Sequence, residues 1–248
     1  MSANEMDGKT VVMGRIRQAT AEEGQIGRAF PGTNARAVLF DLDGTLADTA
    51  PDLARALNRV RAASGLEAMP LELTRSYTSS GARGLLKVGF GLNPGDARYE
   101  ELKLQFLDFY AAEICVDTRL FDGMAELLDR FDRDRLPWGV VTNKAERFTF
   151  PLLQGLRLDR RAACVVGGDT TPRLKPHPEP LLHAAAALNL SPSDCLYVGD
   201  DLRDVQAARA AGMRVLAANY GYLGDGGVIE SWQADAVIEH PREVLDYL

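Results

Sequence analysis

The sequence predicts an α/β protein: a Rossmann-like parallel sheet flanked by helices, interrupted early by an all-helical insert. Three observations lead there. From residue 121 onwards, short apolar runs that read as strands alternate with stretches of helical spacing. Those runs are nearly continuously apolar rather than alternating, as expected of parallel strands buried on both faces. Between residues 50 and 115, by contrast, helical spacing recurs with no strand pattern among it.

The 248 residues suffice for one large domain or two small ones. With 46% hydrophobic and 25% charged residues, the composition is that of an ordinary globular protein. A net charge of -7 argues against nucleic-acid or membrane partners, so an anionic ligand must be met by local cations. Cys115, Cys164 and Cys195 are far apart and form no CxxC or Cys/His cluster, which supports neither a disulfide framework nor a zinc site. No apolar run reaches the ~18–20 residues of a membrane span, and the start lacks a signal-peptide core. A reducing cytoplasm is the expected compartment. Monomer and homodimer are both compatible with the sequence.

Taken in order, residues 1–34 are mixed polar with scattered glycines and little periodicity, and a mobile extension is expected. Next comes RAVLFDLDGTLADT at 36–49, where an apolar run (Ala37, Val38, Leu39, Phe40) ends at Asp41, Asp43 and Gly44. Two carboxylates at a strand end do nothing for a sheet, but they stand where open α/β sheets bind ligands. The plain alternative is a strand followed by an Asp-rich turn. Leu53, Ala56, Leu57 and Val60 then recur at helical steps until Ser64-Gly65, and further helical pattern covers 71–77, 84–90 and 99–114. The organisation expected is an α/β core from 35–49 and 118–248 with a helical cap at 50–117. In the second part of the core, helices at 124–131, 144–153, 183–188 and 202–211 precede strands at 138–141, 163–166, 195–198 and 214–218. An edge strand at 236–238 and a closing helix at 243–248 complete the expectation.

Chemistry-bearing residues follow three of those later elements. WGVV runs into Thr142, Asn143 and Lys144, where a hydroxyl and a free backbone amide could bind phosphate or equally cap a helix. LKPHPEP at 174–180 places prolines at alternate positions, which should hold the backbone extended and present Lys175. CLYVGDDLRD brings Asp200, Asp201 and Asp204 together after a strand. Acids so close repel one another unless a cation lies among them, although a solvated helix start would also favour Asp.

In order along the chain, DLDGTLADT, VVTNK, LKPHP and GDDLRD resemble the motifs of the haloacid dehalogenase (HAD) superfamily. The resemblance implies a HAD-like fold and a phosphatase with Asp41 as nucleophile and Asp43 as general acid/base. It further implies phosphate binding by Gly44, Thr45, Thr142 and Asn143, with Lys175 neutralising charge. Mg2+ would be held by Asp41, Asp43 (through its backbone carbonyl) and Asp200. Asp204 would orient the site from behind, and Asp201 stands where many relatives have Ser. Dehalogenases of the superfamily lack an acid at the position of Asp43, which favours phosphate esters here. DGT followed by Leu46 looks more like the phosphatase branch than the phosphomutases. LFDGMAELLDRF, WGVVTNK, VGDDLRD and ANYGY are similar to bacterial phosphoglycolate phosphatases, and equally to relatives that dephosphorylate N-acetylmuramic acid 6-phosphate. The partner implied is a small phosphorylated metabolite. A catalytically silent binding module is the reading from another class, for which this set of acids would have no use. TSSGARG at 78–84 is the candidate substrate-contact loop of the cap, with Arg83 offered to a carboxylate.

Elementary electrostatics shows why cations are needed. A carboxylate approaching an anionic phosphate to ~4 Å costs roughly 4 kcal/mol at an effective dielectric near 20. That alone is about a thousandfold in rate. Asp43, to act as an acid near neutrality, should lie among buried groups and other carboxylates.

Overall fold

The computed structural model describes residues 35–248, so the expected N-terminal extension lies outside the described residues. Six parallel strands form the main sheet: β1 (Ala37–Phe40), β4 (Trp138–Val141), β5 (Cys164–Val166), β6 (Cys195–Gly199), β7 (Arg214–Ala218) and β8 (Ala236–Ile238). Their order is β5-β4-β1-β6-β7-β8. β1 is central, and the chain winds away from it in both directions. Ligands bind open sheets at such a reversal, outside the carboxyl ends of the strands.

Both faces of β1 are buried. Val38 and Phe40 join one apolar layer with α5 (Met124–Asp134) and α6 (Glu146–Gly155), through side chains such as Leu128, Phe131 and Leu152. Ala37 and Leu39 join the other with α7 (Glu179–Ala187) and α8 (Leu202–Ala211), through Leu181, Ala184, Val205 and Ala208. Full burial of a large apolar side chain is worth about 1.5–3 kcal/mol, which is why such runs commit to central strands.

The early insert folds as α1 (Ala50–Ala63), α2 (Leu71–Thr74), α3 (Gly81–Phe90) and α4 (Tyr99–Ala112). These helices share a third apolar cluster that includes Leu57, Leu86, Phe106 and Tyr110 and reaches Phe148 of α6. At the root of the insert, β2 (Ala47–Asp48) pairs antiparallel with β3 (Arg119–Leu120). Two residues per strand are too few to show a period, so the sequence pattern does not reveal this ribbon. Asp52 ties the same root: its carboxylate accepts the N–H groups of Val116, Asp117 and Thr118 and the Thr118 hydroxyl. Burial alone would push its pKa up, but these donors outweigh burial and hold it below the ordinary value.

Some expectations are corrected. The closing helix expected at 243–248 is present in the tighter form, as the 3-10 helix Pro241–Tyr247 rather than an α-helix. So short a terminal segment makes too few i to i−4 bonds to offset helix nucleation. The helix expected at 71–77 breaks after Thr74 into a 3-10 segment, Arg75–Ser80, where the Thr74 and Thr78 hydroxyls bond back to Leu71 and Thr74 carbonyls. The proline-rich stretch is not extended throughout: the His177 N–H donates to the Leu174 carbonyl at 2.8 Å, closing a turn around Lys175.

Candidate active site

Asp41 follows β1, and Asp200 and Asp204 follow the neighbouring β6. One carboxylate oxygen from each lies within 4.8 Å of the others. Lys175 Nζ is 2.9 Å from Asp41 and 2.7 Å from Asp204. Its three hydrogens are taken by Asp204, the Tyr197 hydroxyl and the Val141 carbonyl, all within 3.0 Å. The contact to Asp41 is therefore coulombic, and Asp41 Oδ1 is buried without a hydrogen bond among the described residues. Burial pushes the Asp41 carboxyl up to about 6 despite Lys175, with Asp204 and Asp43 adding to the rise. Asp200 is pushed well above the usual carboxylate range by burial and by the charges of Asp41 and Asp204.

These observations fit a divalent cation. Three carboxylates facing one ammonium leave two formal negative charges in a buried place. One of those carboxylates has a buried oxygen whose nearest cation, Lys175, already gives its hydrogens to three other acceptors among the described residues. Asp204, expected behind the site, contributes to the cluster itself, whereas the Asp43 side chain is not in the trio.

Asp200 is held from two sides. Thr45 donates its hydroxyl to Oδ1 at 2.7 Å, and the Tyr222 N–H donates to Oδ2 at 2.7 Å. Thr45, expected to bind phosphate, is thus committed to a carboxylate and fully buried. Gly44 has φ +88°, and a Cβ there would come 2.1 Å from Asp200 Oδ2. A Cβ on Gly221 would come 2.3 Å from the Asp200 Cβ and 2.4 Å from the Gly44 carbonyl. Gly221→Ala is accordingly expected to displace Asp200 and weaken divalent-cation affinity about 10–100-fold, read by calorimetric titration.

Asp43 has the expected carboxylate neighbour in Asp41, whose carboxyl it helps to raise, and faces a cation as well. Lys144 Nζ donates to its two oxygens at 2.8 and 3.0 Å, and Thr49 donates at 2.5 Å. Thr142 is buried at the cavity floor, where its hydroxyl accepts the Lys144 N–H. Asn143 has a task not evident in the motif: its side chain pairs reciprocally with the Lys175 backbone, both bonds at 2.9 Å, and so fixes the turn that presents that lysine.

Above this floor is a cavity of about 320 Å³. Leu53, Phe106, Leu107 and Tyr110 from the insert and Phe148 from α6 wall it, with Lys103 and Arg147 at its edge. Thr78 to Ala82 line it as expected of the contact loop, but Arg83 is exposed and outside the lining. The reason is helical phase: α3 begins at Gly81, which turns the third residue of the helix outward. Asp201 is the N-cap of α8 in a capping box with Asp204. Its carboxylate also accepts the Ser79 hydroxyl at 2.6 Å, while Arg203 donates to the Ser79 carbonyl at 2.7 Å. Asp201 thereby joins insert to core.

Lys144, Tyr197, Gly221 and Tyr222 lie within the stretches VVTNK, CLYVGDDLRD and ANYGY, but nothing in those stretches assigns them a task. Lys144 carries the strongest signal of the four, as the neighbour of Thr142 and Asn143 at the same strand end.

An open parallel sheet with this acidic cluster at its reversal defines an α/β protein with a ligand site at the strand ends, and comparison with known families supplies the class. Residues 38–218 match the family model described as haloacid dehalogenase-like hydrolase, and the chain belongs to that family. The relatives are phosphatases. The N-acetylmuramic acid 6-phosphate phosphatase of Pseudomonas putida is 44% identical over 214 residues, covering 85% of this chain and 96% of its own. A phosphoglycolate phosphatase of Xanthomonas campestris pv. campestris is 44% identical over 212 residues, covering 85% and 95%. The crystal structure of a predicted phosphoglycolate phosphatase from Haemophilus somnus has a TM-score of 0.77 at 27% identity, over 87% of this chain and 98% of that one.

Proposed function

We propose that the protein hydrolyses small phosphomonoesters in two steps through an aspartyl-phosphate on Asp41, with Mg2+ as its divalent cation. The observation that carries this is the meeting of Asp41, Asp200, Asp204 and Lys175 at one strand-end floor. Asp41 attacks phosphorus as the ester P–O bond breaks, and Asp43 gives the departing oxygen its proton. Asp43 then takes a proton from water as that water attacks phosphorus, which releases inorganic phosphate and restores Asp41. Lys175 offsets the negative charge of Asp41 next to the phosphoryl group. A cation bound by Asp41, Asp200 and Asp204 supplies further charge neutralisation when present. The helical insert serves as the cap, excluding water and contacting the leaving group.

The leading substrate reading is 2-phosphoglycolate. A second, N-acetylmuramic acid 6-phosphate, is favoured by one observation: a cavity of about 320 Å³ with an aromatic wall is far larger than a two-carbon acid requires. Both substrates carry a carboxylate. The role expected of Arg83 falls to Arg147, which lies over the Phe148 ring at 4.6 Å and has no carboxylate partner among the described residues. Arg147→Ala should raise KM about tenfold for the carboxylate-bearing substrate and leave KM for an aryl phosphate unchanged. Rates against a panel containing both phosphorylated acids, scored by kcat/KM with and without Mg2+, test the function. Absence of metal-dependent phosphate release from every ester would overturn it.

No helix among the described residues is long and apolar enough to cross a membrane. The proposed compartment is the cytoplasm, where the unpaired thiols of Cys115, Cys164 and Cys195 would stay reduced.

A further inference from the structure

Two ammonium groups, Lys175 buried and Lys144 partly so, serve this site, and they attend to different carboxylates. Lys175 contacts Asp41 and Asp204. Lys144, at the end of β4, instead contacts both oxygens of Asp43. On its other side the Lys144 ammonium meets the Tyr110 ring of α4, 4.8 Å from the centroid. The Tyr110 hydroxyl is buried with no hydrogen-bond partner among the described residues, in a residue that lines the cavity. Lys144 is thus enclosed between a core carboxylate and an aromatic ring brought by the insert.

We propose that Lys144 is the positioning residue for Asp43, holding its carboxylate at the angle from which it exchanges protons with the leaving oxygen and with water. This rests on the phosphatase reading. A single hydrogen bond from Thr49 anchors one oxygen and leaves the carboxylate free to rotate about Cβ–Cγ. The second contact from Lys144 removes that freedom. Oδ1 is shared by Thr49 and Lys144, whereas Oδ2 is held by Lys144 alone, which makes Oδ2 the oxygen that works on protons. The ammonium also offsets the repulsion that would turn Asp43 away from an arriving phosphate. Because Tyr110 closes the far side, the clamp is complete only with the insert seated on the core.

The test compares two esters. An alkyl phosphate such as glycerol phosphate needs its leaving oxygen protonated; dinitrophenyl phosphate does not. kcat/KM reports the steps up to departure of the alcohol. Lys144→Met should lower kcat/KM on the alkyl ester about 100-fold, the scale of a displaced general acid. Loss on the dinitrophenyl ester should stay below about fivefold, with KM for both esters unchanged. If the Met variant melts early, the same ratio is read from Lys144→Gln. Equal losses on both esters, or a loss confined to KM, would overturn the positioning role. Failure of the unaltered protein to hydrolyse either ester with Mg2+ would instead remove the phosphatase reading itself.

Discussion

Asp41→Asn is expected to lower phosphate release by at least about 10⁴-fold, the scale seen when a nucleophile is removed, and to leave the protein folded. The amide matches the carboxylate in size but cannot attack phosphorus. It also removes one negative charge from a crowded trio. In the metal-free protein the Asp41 carboxyl is pushed up to about 6, mainly by burial. A raised carboxyl favours the folded state at low pH, and that advantage fades as pH climbs from the ordinary value through about 6. At neutral pH without metal the ionised group therefore weighs against folding, so the melting temperature of Asp41→Asn should hold or rise. Stopped turnover with a maintained melting temperature is the expected pair of readings. Continued hydrolysis by a folded variant would show that Asp41 is not the nucleophile.

Lys175→Met should damage both activity and stability. Lys175 is buried, and its loss leaves Asp41 and Asp204 facing each other without a cation while Tyr197 and the Val141 carbonyl lose a donor. Breaking a buried ion pair from one side costs roughly 3–5 kcal/mol. Restoring the repulsion between nucleophile and phosphate adds about a thousandfold loss in kcat/KM. Denaturant unfolding in EDTA and in excess Mg2+ separates the causes. Added Mg2+ should recover more stability in the variant than in the parent, because it replaces a missing positive charge. A stability loss indifferent to Mg2+ would mean that the lysine acts through packing rather than charge.

The strands from β1 to β8 in the main sheet were legible because each is a short apolar run closed by a turn residue, a property carried by neighbours in the chain. The same locality explains the misses. The β2–β3 ribbon is too short to show a period. The break at Thr74 depends on hydroxyl-to-carbonyl bonds that a pattern of apolar positions does not register. Arg83 has the chemistry of a carboxylate contact, yet where α3 begins turns it to solvent.

By itself the sequence determined which side chains stand at strand ends, and hence that Asp41, Asp43, Thr142, Lys175 and Asp200 would share one edge of a sheet. Partnership was decided only in three dimensions. Lys144 and Asp43 are 101 positions apart, and Thr45 and Asp200 are 155 apart. Which lysine faces which carboxylate, and which glycine leaves room for Asp200, depends on how strands line up across the sheet and how the insert settles upon it. A side chain's identity is local, but the field it feels is set by whatever packing brings near.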